Sequence, residues 1–170
     1  MKRLTLMRHG NAEWKDPDIP DFERTLNRRG TSEAEVMSRR LSELALVPTL
    51  LMVSPARRAQ QTADIVTREL GIPPRHRRSE ESLYLAEAKD ILQVVKGTGP
   101  RIPHLMIIGH NPGLSDVVRL LAPDVANPEL GTGATRTLTF DARTWSAIDA
   151  GNLKDTQSES PAVGLFRMFA

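Results

Sequence analysis

Apolar positions fall into two kinds of pattern that alternate along the chain: short runs, and repeats spaced three and four residues apart. Lys2 to Met7 is a short apolar-rich run that predicts a first strand, and a polar loop carrying Trp14, Pro17 and Pro20 follows it. Arg28 to Leu46 places Ala34, Met37, Leu41 and Leu44 at helical spacing with polar residues between, the mark of a helix with one buried face. Thr49 to Val53 predicts a second strand. Arg57 to Leu70 predicts a helix through Ala59, Ala63, Val66 and Leu70, with Gly71 and Pro73 as its stop. The basic stretch Arg75-His76-Arg77-Arg78 lies between periodic segments and reads as a solvated loop.

Beyond it, Glu87 to Val95 predicts a shorter helix, and Leu105 to Ile108 is a continuous apolar run of the kind that suits a strand buried on both faces. Pro112 to Leu121 predicts another helix and Ala134 to Phe140 another strand. Asn152 to Pro161 turns polar and reads as a loose connection, after which Val163 to Phe169 predicts a last edge strand. Strand and helix alternate, so the expected fold is α/β: a three-layer α/β/α sandwich with a mostly parallel central sheet and right-handed crossovers. A chain of 170 residues is enough for one sizeable core, and a single domain over 1–170 is expected.

Composition narrows the chemistry. The chain has no cysteine, which removes disulfides, thiolate metal sites and cysteine nucleophiles. Its formal charge of +2 gives little general attraction to nucleic acid. No apolar run approaches the roughly 20 residues of a membrane span, and the apolar stretch after Met1 is too short for a secretory signal. The expected setting is the cytoplasm, with neither nucleic acid nor membrane as partner.

Three predicted strands end alike. The first runs into Arg8-His9-Gly10. The second runs into Ser54-Pro55-Ala56-Arg57-Arg58, where Ser54 is placed to cap a helix that opens on Pro55. The third runs into Gly109-His110-Asn111-Pro112, with Asn111 and Pro112 in the same two roles. In an open α/β sheet, ligands bind beyond the carboxyl ends of the strands, so these junctions converge on one rim suited to negative charge. Two histidines and two arginines there fit a phosphoryl group. Two arginines offer permanently charged planar donors to its oxygens, and one imidazole can attack phosphorus. Attack needs an unprotonated nitrogen, so the other ring nitrogen of His9 is expected to donate to a backbone carbonyl. Gly10 lets the chain pass close to the phosphate, and His110, if protonated, adds a charge-assisted donor. His9 and His110 could instead be two metal ligands, but paired His spacing is missing and the arginines oppose a cation. No metal or cofactor is expected.

The triplet Arg8-His9-Gly10, the run from Ser54 to Ala63 and Gly109-His110-Asn111-Pro112-Gly113 resemble the histidine phosphatase superfamily, the group that includes cofactor-dependent phosphoglycerate mutase. Arg24-Thr25-Leu26 leading to Gly30, the Leu83-Tyr84 pair, and Trp145 followed by Gly151 resemble its small bacterial phosphohistidine phosphatase branch, the SixA type. The resemblance implies a phosphoglycerate mutase-like fold, a phosphohistidine intermediate on His9, and phosphate held by Arg8, Arg58 and His110. Arg24 matches an arginine that approaches the phosphate in the SixA branch, whereas Arg57 points about 100° away from Arg58 on the helix and is expected at the surface. The implied substrate is phosphohistidine on a protein of the histidine-containing phosphotransfer type, hence a part in signal transduction. The alternatives are a small phosphate ester, or a phosphoprotein-binding module without turnover. The chain departs from mutase-like members where they carry a glutamate as proton donor: the matching position here is Leu85, with Glu81 and Glu87 nearby but out of register. A chain this short, with no clear lid segment, is expected to leave the phosphate pocket open.

Overall fold

The computed structural model describes residues 1–162. Six strands form one sheet in the order β3-β2-β4-β1-β5-β6. They are β1 (Lys2–Arg8), β2 (Leu50–Val53), β3 (Arg77–Ser79), β4 (His104–Gly109), β5 (Thr135–Phe140) and β6 (Leu153–Glu159). The run from β3 to β1 is parallel, β5 pairs antiparallel with β1, and β6 pairs antiparallel with β5. Four helices flank the sheet: α1 (Arg28–Glu43), α2 (Arg57–Leu70), α3 (Ala88–Lys96) and α4 (Gly113–Leu121).

Alternation along the central strands builds both cores. Leu4 and Leu6 of β1, with Leu105 and Ile107 of β4, face Ile91, Val95, Leu114, Val118 and Trp145. Met7, Met106 and Ile108 face the other way, onto Met37 and Leu41 of α1 and Ala63 and Val66 of α2. All six residues of β4 are buried, the pattern of a parallel strand covered on both faces. The result is the expected three-layer sandwich. Among the described residues no helix is long and apolar enough to cross a membrane.

Helix starts and stops follow local chemistry. Asn27 caps α1, its side chain accepting from Gly30 N at 2.8 Å. Gly71 ends α2 at φ 67°, the left-handed conformation that glycine adopts without strain. The two strand-to-helix junctions depart from expectation by one or two residues. The helix α2 begins at Arg57 rather than Pro55, and Ser54 turns its hydroxyl to His110 while accepting a longer contact from Ala56 N at 3.3 Å. The helix α4 begins at Gly113, and Asn111 Oδ1 accepts from the Ser115 hydroxyl at 2.9 Å.

Two segments read as irregular are strands. The stretch 152–161, expected to be a loose connection, contains β6, which pairs along β5 from Thr135↔Glu159 to Phe140↔Leu153. An edge strand has one neighbour and one solvent side, so its backbone ladder holds it while charged side chains occupy the free edge; that composition hides it in the sequence. Arg77–Ser79, within the expected basic loop, is the opposite edge, paired with β2. The edge strand expected over Val163 to Phe169 lies outside the described residues.

Candidate active site

The carboxyl ends of β1, β2 and β4 bring His9, Ser54 and His110 onto one rim, and the first turn of α2 adds Arg58. The rings of His9 and His110 stand 5.1 Å apart. Both are nearly buried, as is Arg58.

Hydrogen bonds fix both tautomers. His9 Nδ1 lies 2.7 Å from the Gly10 carbonyl, which can only accept, so Nδ1 carries the proton. Arg58 Nε donates to His9 Nε2 at 3.3 Å, so Nε2 bears a lone pair, as a nucleophile requires. His110 is oriented by the same logic. Its Nδ1 faces Arg58 Nη2 at 3.3 Å and accepts, leaving Nε2–H to donate to Ser54 Oγ at 2.7 Å. Burial lowers the His9 pKa to about 4; the Gly10 carbonyl opposes that, and Arg58, Arg8 and Arg24 reinforce it. His110 is lowered to about 3 by burial, His9 and Arg58, with Asp21 opposing. Burial therefore favours the neutral form of both imidazoles at neutral pH in the free site.

Arg8 reaches the Leu130 carbonyl at 3.3 Å, and its buried Nε finds no hydrogen-bond partner among the described residues. Arg24 donates through Nε to the Glu13 carbonyl at 3.0 Å and through Nη1 to Asp21 Oδ1 at 3.0 Å. Arg57 is exposed, facing Glu23 at 3.8 Å, as its helical position predicts. Gly10 donates its N–H to Thr62 Oγ1 at 3.1 Å, and a Cβ on it would lie 2.5 Å from the Gly30 carbonyl oxygen. The space it leaves is filled by the start of α1.

Three further residues shape the site. Asp21, in a short 3₁₀ turn (Asp21–Glu23), binds Arg58 twice, through its carbonyl at 2.7 Å and through Oδ2 at 3.1 Å. Tyr84 donates its hydroxyl to the same Oδ2 at 2.6 Å, while its ring meets Phe22 at 5.1 Å and His110 at 5.6 Å, both edge-on. Burial would raise the Asp21 pKa, but the hydrogen bonds from Tyr84, Arg58 and Arg24 outweigh it and hold the carboxyl at about 2. In the pocket expected to be open, Asp21 thus stands against Arg58 and Tyr84 against His110. Glu33, buried in α1, accepts from Asn11 N at 2.8 Å and from the Thr132 hydroxyl at 2.8 Å, bracing the segment after His9.

Of the acids expected near the site, neither reaches it. Glu87 pairs with Lys89 at 3.4 Å, and Glu81 lies in a 3₁₀ turn (Glu81–Leu83) on the surface. Leu85 is 56% exposed with φ 48°. His104 is buried beneath the sheet's opposite end, bonded to Thr5 Oγ1 at 2.8 Å. Among the described residues no three of His, Asp and Glu stand as a metal-binding group.

Comparison with known proteins gives a consistent picture. Residues 4–79 match the model of the histidine phosphatase superfamily (branch 1). A chloroplastic protein of Arabidopsis thaliana is 29% identical over 129 residues, 71% of this chain and 59% of that protein. The 2,3-bisphosphoglycerate-dependent phosphoglycerate mutase of Nitrobacter winogradskyi is 36% identical over 84 residues, 42% of this chain and 37% of the mutase. The chain thus spans less than two thirds of these relatives. In fold it is similar to the protein histidine phosphatase SixA complexed with tungstate, with a TM-score of 0.80 at 24% identity, covering 95% of this chain and 98% of that one. A mycobacterial glucosyl-3-phosphoglycerate phosphatase shares the fold at a TM-score of 0.64 and 16% identity, covering 94% and 97%.

Proposed function

We propose that this chain, whose residues 4–79 match the histidine phosphatase superfamily model, is a phosphatase that passes a phosphoryl group to His9 Nε2 and then to water, with phosphohistidine on another protein as its preferred substrate. The observation that carries the reading is the state of His9: its proton is tied to the Gly10 carbonyl and its free nitrogen is faced by Arg58. A module that only bound phosphate would have no use for a lone pair aimed into a cluster of arginines.

Each group then has a role. Arg58 turns from His9 and Asp21 onto the phosphoryl oxygens, and Arg8, with a buried N–H lacking a partner, meets them from the side of β1. Arg24 joins from the 20–24 segment. A phosphoryl dianion raises the proton affinity of His110 Nδ1, which then donates to a phosphoryl oxygen while Ser54 holds the ring. No step uses a metal or a cofactor.

The substrate class follows from the leaving group. An alkoxide needs a proton delivered in the transition state, whereas the imidazole of phosphohistidine can be protonated beforehand and depart neutral. With Leu85 turned to solvent and Asp21 ionised, the free site offers an alkoxide no carboxylic acid among the described residues. A histidine-containing phosphotransfer domain supplies the favoured leaving group. The test compares kcat/KM at neutral pH for such a phosphorylated domain and for sugar, nucleoside and glycerate phosphates. The phosphoprotein should be preferred, and His9→Ala should abolish turnover. A small ester turned over at about 10⁴ M⁻¹s⁻¹ or faster while the phosphoprotein is ignored would replace this assignment with the small-ester reading.

A further inference from the structure

Hydrolysis of a phosphohistidine intermediate needs a water to lose a proton as it attacks. Among the described residues the carboxylate that pairs with Arg58, the guanidinium facing the nucleophile, is Asp21. A single guanidinium links the two: Arg58 Nε lies 3.3 Å from His9 Nε2, and Arg58 Nη2 lies 3.1 Å from Asp21 Oδ2. The same carboxylate oxygen receives the Tyr84 hydroxyl at 2.6 Å.

We infer that Asp21 is the general base of the second half-reaction, the step that frees His9. This rests on the phosphatase reading above. In-line displacement at a phosphorus held by His9 Nε2 brings the leaving group, and later the attacking water, to the side of the phosphoryl group away from that nitrogen. Arg58 spans the gap from His9 to Asp21, so the carboxylate borders that side. Once Arg58 closes on the phosphoryl oxygens, its contact with Asp21 is given up. The negative phosphoryl group then raises the carboxylate's proton affinity from its free-site value.

The step balances. A water oxygen bonds to phosphorus as the P–Nε2 bond breaks, and the electron pair returns to Nε2. His9 is left neutral, its Nδ1–H still donating to the Gly10 carbonyl. The water proton passes to Asp21 Oδ2 and on to solvent, and the product is hydrogen phosphate. Tyr84 holds the carboxylate by its hydroxyl, a positioning role.

The variant is Asp21→Asn in the full chain, which keeps the shape and the Tyr84 contact and removes the base. Its side chain is 43% exposed, so folding should be retained, as a melting curve checks. Both proteins are mixed with ³²P-labelled phosphoramidate, a small P–N donor, quenched in alkali, and assayed for label on His9 and for free phosphate. Asp21→Asn should take up label within about threefold of the wild-type rate and release it about a hundredfold more slowly or worse, the lower end of general-base effects. The phosphoenzyme should therefore accumulate. Release within threefold of wild type would overturn the inference. So would an equal fall in both steps without accumulation, which marks Asp21 as a support for Arg58 alone. A wild-type chain that takes no label on His9 and releases no phosphate would instead sink the phosphatase reading itself.

Discussion

The meeting of Arg8, His9, Arg58 and His110 on one rim was legible from the sequence because each lies at or shortly beyond a strand end within three short motifs. What the motifs do not show is protonation. The neutral state of both histidines comes chiefly from burial, and the tautomer of each from a partner 1 or 56 residues away, Gly10 for His9 and Ser54 for His110. Ser54 reads in the sequence as a helix cap, and its hydroxyl serves the imidazole instead. Ser54→Ala should leave the sheet intact and free the His110 ring to turn. One buried hydrogen bond is worth about 0.5–1.5 kcal/mol, so kcat should fall by roughly 3- to 10-fold with little change in KM. A rate equal to wild type would show that His110 needs no such hold. Asp21 and Tyr84 were not legible, because they meet 63 residues apart from two irregular segments, where neither periodicity nor motif fixes direction.

Elements with a buried face were read to within a few residues, because burial imposes a period. The edges of the sheet escaped, since β3 and β6 carry charges and are held by backbone ladders. The contact between α1 and the loop after β1 also lies below the resolution of sequence patterns. Gly10 faces the Gly30 backbone, and a Cβ on Gly30 would lie 2.0 Å from the Asn11 carbonyl oxygen. Gly30→Ala should gain about 1 kcal/mol of helix propensity. The collision is with backbone, which cannot swing aside, and overpacking of this kind costs about 1–3 kcal/mol. Net destabilisation is expected, together with loss of activity, because the displaced loop carries the His9 anchor. Gly99→Ala, where a Cβ meets nothing within 4 Å, is the control and should change stability by less than about 0.5 kcal/mol. Urea midpoints that rank the two variants the other way would contradict the packing.

At the scale of the whole molecule, three buried histidines at opposite ends of one sheet tie the fold to pH. His9 and His104 are lowered to about 4 and His110 to about 3, in each case chiefly by burial. A histidine whose folded pKa lies below its unfolded value stabilises the fold fully above about pH 6.5. That stability is lost as pH falls toward the folded value, because the unfolded chain binds the proton more readily. At about 1.4 kcal/mol per pK unit, the loss by pH 4 is about 3 kcal/mol for each histidine, together comparable to the 5–15 kcal/mol that holds a typical domain. Urea midpoints should be flat from pH 8 to 7 and fall steeply between pH 6 and 4. A midpoint unchanged at pH 5 would mean that these imidazoles are protonated in the folded state or exposed. Burial also divides the molecule's two tryptophans. Trp145 is fully enclosed, its indole N–H bonded to the Ile102 carbonyl at 2.8 Å, whereas Trp14 is 72% exposed on the same loop as Asp21. Under ultraviolet light the first glows blue-shifted and constant for as long as the sheet is intact. The second emits at the wavelength of a wetted indole until something settles beside it, so one spectrum separates the docking of a partner from the melting of the fold.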